Sequence, residues 1–368
     1  MSFLEQIKEA DLFDFNRYCS CVTEQDIEAT IQKENLTRFD FLNLLSPKAL
    51  LFLETMAVKA TSITRQYFGR TIGVYAPMYI SDFCSNQCTY CGFNVKNSFK
   101  RKKLSIPEIE KEAQALSDTG IRQVLVLTGE APEKTPLSYL VKAVEILKQY
   151  FASISLEIFP MDTEDYAALR QAGADSLTVF QEVYDRDIYQ KVHLSGKKAD
   201  YRYRLFTPDR GAAAGFRSIT IGALFGLGDL VKEAFLSGIH AQFLEKKYPD
   251  VEILLSIPRM RKAKGGISPE NILSDIRFVQ FMLAWRLFMP KVGISISTRE
   301  SPEFRDRLVS LGATKFSAGS RTDVGGYSSI GEENTAQFEI SDNRSVEQVT
   351  AMIKQSGYQP VFKDWEII

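Results

Sequence analysis

The chain has 368 residues, of which 45% are hydrophobic and 25% are charged, and its formal net charge is −1. This length and composition are typical of a globular protein with one large α/β domain and an appendage. Because the charge is balanced, the composition favours neither a nucleic acid nor an anionic membrane as a partner. No apolar run reaches the roughly 18 residues of a membrane helix, and the first residues lack the pattern of a signal peptide.

The first part of the chain has a helical pattern. Apolar residues recur at helical spacing after Ser46 and Pro47, and Gly69 is placed as a helix stop. We therefore expect an N-terminal helical extension over residues 1–70.

From Thr71 onward, strand-like and helix-like segments alternate. The pattern predicts strands at 71–80, 123–129, 153–159, 176–181, 218–225, 251–257, 291–297 and 314–318. Between them, a Ser with Pro and Glu soon after it predicts helix starts at Ser105, Ser268 and Ser301.

Eight strands that alternate with helices predict an α/β protein, a parallel (β/α)8 barrel of the TIM type whose working face lies at the carboxyl ends of the strands. We assign the barrel to residues 71–325. Residues 326–368 are predicted to form a loop and then a short helix near 345–357 that packs on the barrel. The segment 183–204, rich in Tyr, Arg and Lys, is irregular and suits a lid or an active-site loop.

Three cysteines, Cys84, Cys88 and Cys91, directly follow the first predicted strand. Three thiolates on one short loop suit three irons of a [4Fe–4S] cluster and leave the fourth iron open for a small molecule. The chain has five cysteines, an odd number and clustered, which argues against a disulfide framework and favours a reducing cytoplasm. Cys19 and Cys21 lie far upstream, and we interpret them as structural.

The alternative for the three cysteines is a structural Cys3His zinc site with His193 or His240. Structural zinc sites usually use paired Cys-x2-Cys knuckles, and a second such pair does not occur in the sequence. The pattern therefore favours the iron–sulfur interpretation.

Polar residues and glycines follow the ends of the predicted strands. Gly129 and Glu130 end the second strand; the glycine lets backbone approach a ligand and the carboxylate suits an ammonium group. Glu157 and Glu182 stand in apolar strands, where a carboxylate needs a partner, either a ligand or a salt bridge at the barrel mouth.

The later strands end in further candidates. Gly222 and Gly226 belong to a strand-to-helix turn in which Asp229 is a suitable N-cap. Arg299 at the seventh strand is a candidate fork for a carboxylate. Ser317 and Ser320 follow the eighth strand. The basic run 100–103 suits either a solvated face or the docking of an acidic electron donor.

The cysteine loop, with Tyr90 as the aromatic residue before Cys91, resembles the signature of the radical S-adenosylmethionine (SAM) enzymes. Over nearly the whole chain, the sequence is similar to the tyrosine-cleaving 2-iminoacetate synthase family of thiamine thiazole biosynthesis. The segments that carry this resemblance include 76–81, 128–130, 179–182, 208–210, 297–302 and 317–320.

The resemblance implies a [4Fe–4S] cluster and SAM as cofactors. A one-electron donor such as flavodoxin or ferredoxin would reduce the cluster, and the radical formed from SAM would take hydrogen from the amino group of L-tyrosine. The Cα–Cβ bond then breaks to give 2-iminoacetate (dehydroglycine) and, after reduction of the side-chain fragment, p-cresol. Because dehydroglycine is unstable in water, a thiazole synthase is the expected partner.

The resemblance also implies residue roles. SAM would be bound by Gly129 and Glu130 and by the strand end with Gly222 and Gly226. Tyr90, Glu157 and Glu182 are further candidates for SAM contacts, which their own positions in the sequence suggest. Arg299, helped by Ser317 or Ser320, would hold the substrate carboxylate. A lyase of another aromatic amino acid such as tryptophan would share most of these motifs. The tyrosine lyase of [FeFe]-hydrogenase maturation carries a second cluster on C-terminal cysteines, whereas no cysteine follows Cys91 here.

Overall fold

A computed structural model describes residues 2–328 and 336–363. Its strands are β1 Thr71–Ser81, β2 Gln123–Thr128, β3 Ser153–Glu157, β4 Ser176–Glu182, β5 Ser218–Ala223, β6 Glu252–Ser256, β7 Gly293–Ile296, β8 Lys315–Ser317 and β9 Gln359–Val361. Strands β1 to β8 pair in parallel with their sequence neighbours, and β8 and β2 both pair with β1, which closes the barrel. The predicted (β/α)8 barrel is confirmed.

The helices are α1 Phe3–Asp11, α2 Phe15–Cys21, α3 Glu24–Gln32, α4 Arg38–Leu45, α5 Leu53–Phe68, α6 Ile106–Asp118, α7 Leu137–Leu147, α8 Thr163–Ala172, α9 Arg186–Val192, α10 Tyr201–Leu205, α11 Thr207–Ala213, α12 Leu230–Lys247, α13 Asp275–Phe288, α14 Pro302–Leu308 and α15 Val346–Gln355. Short 3-10 helices span Pro47–Phe52, Lys197–Ala199 and Val309–Leu311.

Side-chain caps begin several of these helices. Ser105 and Glu108 form the reciprocal capping box of α6, and Ser301 caps α14, as the sequence predicts. The helix start predicted at Ser268 is wrong: the chain is irregular there, and α13 begins at Asp275 behind the cap of Ser274. The structural reason is that the chain first returns to the β5–α12 turn, where the Glu270 N–H donates to the Gly226 carbonyl.

The N-terminal helices pack on the outside of the barrel against α12 and α13. Phe41 of α4 stacks on Phe288 of α13 with ring centroids 4.4 Å apart, and Phe3 of α1 stacks on His240 of α12 at 4.1 Å. Gly238 permits this approach, since a Cβ there would lie 2.7 Å from the Phe41 ring. Burial of these rings contributes about 2 kcal/mol or more each.

The C-terminal segment is fastened to the barrel by a buried ion pair and an extra strand. Arg305 of α14 pairs with Asp342, and both side chains are fully buried. The helix expected near 345–357 is α15. The sequence does not predict β9: it pairs with the start of β1, where Gly73 has Lys315 of β8 on one edge and Val361 of β9 on the other.

No single helix among residues 2–328 and 336–363 is long and apolar enough to cross a membrane, although the pair Arg38–Leu45 and Pro47–Phe68, bent by 76°, passes the same criterion together.

Candidate active site

A cavity occupies the barrel interior and its mouth, and all eight barrel strands contribute to its lining. Its empty volume is about 1300 Å³ including the open mouth. The sequence-predicted residues that line it are Tyr90, Cys91, Glu157, Glu182, Arg299, Ser317 and Ser320.

The cysteine loop leaves β1 and is held on both sides by backbone hydrogen bonds. The N–H of Ser85 donates to the carbonyl of Glu130 (3.0 Å), and the N–H of Thr89 donates to that of Val192 (3.0 Å). Inside the loop, Asn94 Nδ2 donates to the Cys88 carbonyl at 2.7 Å. The two backbone bonds connect the loop to the end of β2 and to α9.

The basic run 100–103 contributes to this support. Arg101 Nη1 donates to the carbonyls of Asp82 (2.6 Å) and Phe93 (2.9 Å), and its Nη2 donates to that of Asn94 (2.7 Å). This arginine therefore fastens both ends of the cysteine loop from within.

The three thiols are free and lie close enough to influence one another electrostatically. Burial, together with the charges of the neighbouring Glu130 and Cys91, raises the pKa of Cys84 to about 11. Burial likewise raises the pKa of Cys88 and of Cys91. Such thiols become thiolates when a soft metal centre binds them, so the donor set fits an iron–sulfur cluster.

The geometry does not fit the zinc alternative. In the described residues, no three His, Cys, Asp or Glu side chains converge on one metal position. A cluster does not require this, because each cysteine binds a different iron. Both ring nitrogens of His193 are engaged, Nε2 with the Tyr90 hydroxyl (2.8 Å) and Nδ1 with the Tyr189 carbonyl (2.9 Å). His240 stacks under Phe3 in the N-terminal extension.

Gly129 and Glu130 lie beside the cysteine loop rather than in the cavity wall. A Cβ at Gly129 would overlap the carbonyl of Phe83, so only glycine lets the end of β2 pass the loop at this distance. Glu130 accepts hydrogen bonds from Asn86 Nδ2 (2.8 Å) and Arg204 Nη1 (2.9 Å). Its carboxylate is thereby held at the junction of loop and barrel.

Glu182 lies at the end of β4 in a left-handed conformation with a φ of 69°, next to an irregularity in the β4–β5 pairing. Lys198 Nζ donates to its Oε1 at 2.7 Å, and Arg204 Nη2 lies 3.7 Å from the same atom. Burial opposes ionisation, but Lys198 and Arg204 outweigh it and lower the pKa of Glu182. Glu182 therefore carries a negative charge matched by two cations.

Glu157 faces the same cavity from β3 and makes no ion pair within the described chain. Burial, and then the charge of Glu182, raise its pKa to about 7. A second polar group of the cavity lining, the Ser320 hydroxyl, is buried without a hydrogen-bond partner in residues 2–328 and 336–363. Unsatisfied groups of this kind at a cavity indicate a polar ligand.

Arg299 presents its guanidinium to the cavity from the end of β7. Its carbon Cζ lies 3.4 Å from the centroid of the Phe338 ring, and its Nη1 makes one long bond of 3.4 Å to the Arg259 carbonyl. It forms no salt bridge with a described carboxylate, and burial lowers its pKa. Arg259 differs from Arg299 in that its guanidinium forms ion pairs with both Glu300 and Asp275.

Ser317, Gly222 and Gly226 are each in close contact with a neighbouring part of the barrel. Ser317 Oγ accepts from the Thr298 N–H at 3.0 Å. A Cβ at Gly222 would overlap the Ser256 carbonyl, and Gly226 has a φ of 129° close to Met260. The turn ends at Asp229, which caps α12 as predicted. Neither glycine lines the cavity, whereas Leu224 between them does.

Two family models match the chain: the Radical SAM superfamily over residues 78–235 and the Biotin and Thiamin Synthesis associated domain over residues 256–359. The 2-iminoacetate synthase of Escherichia coli is 38% identical over 99% of this chain and 97% of its own length. The chain belongs to the 2-iminoacetate synthase family of radical SAM proteins. The Salmonella typhimurium 2-iminoacetate synthase is 37% identical over the same shares of both chains.

The structural comparison agrees with this membership in the 2-iminoacetate synthase family. The FeFe-hydrogenase maturase HydG from Carboxydothermus hydrogenoformans superposes with a TM-score of 0.88 and 30% identity, covering 98% of this chain and 85% of that one. The radical SAM family uses a [4Fe–4S] cluster and SAM, and the three cysteines and the cavity suit both.

Several cavity residues of this family member are absent from the sequence prediction. They are Tyr79, Lys198, Arg261, Gln337 and Phe338. Arg204 is a further residue of the site, because it contacts Glu130 and Glu182. Lys198 and Arg204 lie in the basic segment 183–204 that the sequence singles out as irregular. The sequence thus indicates the segment that supplies Lys198 and Arg204. It does not indicate which of the many cations in this segment turn toward the cavity.

Proposed function

We propose that this chain is a radical SAM tyrosine lyase that cleaves the Cα–Cβ bond of L-tyrosine to 2-iminoacetate and p-cresol for thiamine thiazole biosynthesis. The observation that carries the proposal is the 38% identity over 99% of the chain to a 2-iminoacetate synthase. The local support is a cysteine loop that opens onto a cavity with an arginine that lacks a carboxylate partner among the described residues.

The cluster and SAM, when bound, supply the radical that takes hydrogen from the substrate. Cys84, Cys88 and Cys91 would ligate three irons of the cluster. For SAM, we propose contacts with Tyr90, Gly129, Glu130, Glu157, Glu182, Gly222 and Gly226. Glu130 and Glu182 are oriented for such contacts by Arg204 and Lys198.

Arg299 would bind the tyrosine carboxylate through its planar fork, and Ser320, whose hydroxyl lacks a described partner, would add a hydrogen bond. Ser317 lines the same cavity and would also help to hold the substrate carboxylate. Fixing the carboxylate determines which bond of the substrate faces the radical, because orientation within a bound complex lowers the barrier by several kcal/mol.

We further propose a one-electron donor such as flavodoxin or ferredoxin, a thiazole synthase that receives 2-iminoacetate, and a location in the cytoplasm. The five free cysteines and the air-sensitive cluster chemistry support a reducing compartment. We also propose that residues 1–70, 71–325 and 326–368 act as extension, catalytic barrel and C-terminal cover, respectively.

The proposal is tested by anaerobic reconstitution with iron and sulfide, then incubation with SAM, dithionite and L-tyrosine. We expect p-cresol and 5′-deoxyadenosine in the mass spectrum. A parallel reaction with L-tryptophan should give neither cleavage product. Cleavage of tryptophan in place of tyrosine would overturn the substrate assignment, and a fully loaded enzyme that forms no deoxyadenosine would overturn the reaction class.

A further inference from the structure

We propose that the surface over the cysteine loop is the docking site of an acidic protein that carries a one-electron redox centre. The proposal rests on the proposed function, because a radical SAM enzyme needs an external electron. We name this surface the donor face. It consists of the side chains of Val95, Leu194 and Ile267 and the exposed lysines on the segments that carry them.

Three residues with exposed apolar side chains are bonded through their backbones to the cysteine loop. Val95, Leu194 and Ile267 are 44%, 53% and 43% exposed, respectively. Their backbone N–H groups donate to carbonyls of the loop, at 3.0 Å to Asn86, 3.0 Å to Gln87 and 2.9 Å to Thr89, respectively. Three chain segments that are distant in sequence thus present apolar side chains around one loop.

The donor face holds a large share of the exposed apolar side chains. Among the described residues, ten large apolar side chains are exposed, and three of them belong to the donor face. Single exposed apolar residues are common on protein surfaces, but an apolar group rimmed by polar residues marks an interaction site.

The same segments carry an excess of positive charge. In residues 94–98, 191–200 and 261–270, the exposed lysines are Lys96, Lys191, Lys197, Lys262 and Lys264, whereas the exposed acidic residues are Asp200 and Glu270. The whole chain has a net charge of −1, so this excess is local. Such a surface attracts an acidic partner and accelerates its association.

The position of the donor face selects a redox partner among acidic proteins. The loop residues that accept these bonds lie in sequence between the proposed ligands Cys84 and Cys91. Only this loop therefore separates the donor face from the cluster position. Interfaces for electron transfer are small and transient, and depend on charge complementarity. The basic run 100–103 is less suited, because Arg101 is occupied by the loop carbonyls and Lys103 Nζ donates to the Lys134 carbonyl.

The experiment compares two reductants of the reconstituted, SAM-loaded full-length enzyme in an anaerobic stopped-flow instrument. Cluster bleaching is followed after mixing with flavodoxin hydroquinone, a large acidic donor, or with dithionite, a small one. The charge variant is Lys96→Glu/Lys197→Glu, and the apolar variant is Leu194→Ser/Ile267→Ser. The matched control is Val58→Ser/Lys354→Glu, in which both residues are exposed on α5 and α15.

We expect the charge variant to be reduced by flavodoxin about tenfold more slowly at low salt and to lose most of the salt dependence of the wild type. The apolar variant should need a several-fold higher flavodoxin concentration at all salt concentrations. The dithionite rate should stay within about twofold of wild type in both variants, and the control should match wild type with both reductants.

Wild-type rates with flavodoxin in both variants would overturn the proposal. Equal slowing with dithionite would also overturn it, because the defect would then lie at the cluster. Product analysis with dithionite keeps the proposed function separate: absence of p-cresol would refute the substrate, while slower reduction by flavodoxin alone would still support the donor face.

Discussion

Arg204 donates a hydrogen bond of 2.9 Å from Nη1 to Glu130 Oε1, and its Nη2 lies 3.7 Å from Glu182. One guanidinium thus joins the ends of β2 and β4 beside the cysteine loop, while its Nε donates to the Phe180 carbonyl at 2.7 Å. Its side chain is almost entirely buried. Arg204 is therefore a positioning residue for two of the proposed SAM contacts.

Replacement Arg204→Met should leave Glu130 and Glu182 to share the single charge of Lys198, whose Nζ lies 3.9 Å from Glu130 Oε1 and 2.7 Å from Glu182 Oε1. Because removal of one partner of a buried ion pair leaves an uncompensated charge, we expect the free energy of unfolding to fall by about 3–5 kcal/mol. SAM should bind at least tenfold more weakly in calorimetric titrations. Arg202→Met, an exposed residue of the same helix, is the matched control. Unchanged SAM affinity in folded Arg204→Met would contradict the positioning role.

The three loop cysteines should differ from the two upstream ones in cluster binding. Changing Cys84, Cys88 or Cys91 to Ala removes a thiolate ligand, so we expect reconstituted protein to lose most of its iron and its brown colour. Cys21→Ala, at an exposed position in α2, should retain the full iron content. Iron and sulfide analysis after anaerobic reconstitution measures both. Full loading of Cys88→Ala would refute the proposed ligand set.

Arg299 should control the affinity for the amino-acid substrate. Loss of the charged fork in Arg299→Met should cost about 2–3 kcal/mol, which lowers kcat/KM for tyrosine roughly 30- to 150-fold, mainly through KM. Arg299→Lys should recover only part of the lost kcat/KM, because an ammonium group cannot form the bidentate pair with a carboxylate. Arg321→Met, an exposed arginine after β8, is the control. An unchanged KM would exclude a carboxylate contact.

The barrel strands are predictable because each is a run of apolar, β-branched residues between polar helix starts, and a buried parallel sheet requires such runs. Strand β9 is not predictable in this way. It has three residues, includes Pro360, and exists because β1 extends beyond β2 and offers a free edge at Ile72 and Gly73. Its formation depends on a partner distant in sequence.

The same distinction applies to the site. Cys84, Glu130 and Arg299 are predictable because each follows a strand whose end lies at the barrel mouth. The inward turn of Lys198 and Arg204 is not, because segment 183–204 contains several similar cations. The selection is tertiary: Asn86 Oδ1 accepts from the Lys198 N–H at 3.0 Å and fixes the 3-10 turn against the cysteine loop.

Glu157 should make the stability of the SAM-free enzyme dependent on pH. Its pKa is about 7 when folded, against about 4.5 when unfolded, so the unfolded chain releases this proton first. The stability associated with the protonated side chain is complete below pH 4.5 and is lost as pH rises through 7. Glu157→Gln should therefore gain about 1–3 kcal/mol over wild type between these limits, less than the full shift because the side chain is partly exposed.

Urea unfolding of wild type, Glu157→Gln and the exposed control Glu28→Gln at several pH values measures this dependence. The difference between wild type and Glu157→Gln should grow from pH 5 to pH 8, whereas the control should run parallel to wild type. A constant difference would show that Glu157 is ionised in the folded protein throughout.

The buried pair of Arg305 and Asp342 should determine how firmly the C-terminal segment covers the barrel. Arg305 Nη1 pairs with Asp342, its Nη2 donates to the Ser317 carbonyl, and Arg344 Nη2 adds a 2.7 Å bond to the same aspartate. Asp342→Ala leaves the Arg305 charge buried without its main partner, so the free energy of unfolding should fall by about 3–5 kcal/mol. Asp250→Ala, at an exposed turn before β6, should change it by less than about 0.5 kcal/mol.

The double variant Arg305→Met/Asp342→Leu separates burial of charge from loss of packing. Because a well-packed apolar pair often replaces a buried ion pair without loss, we expect the double variant to be more stable than Asp342→Ala by about 2 kcal/mol or more. Its KM for tyrosine should nevertheless rise, since the Ser317 carbonyl loses its donor and the cavity wall is no longer fixed. A double variant as unstable as Asp342→Ala would show that Asp342 acts through Arg344 instead.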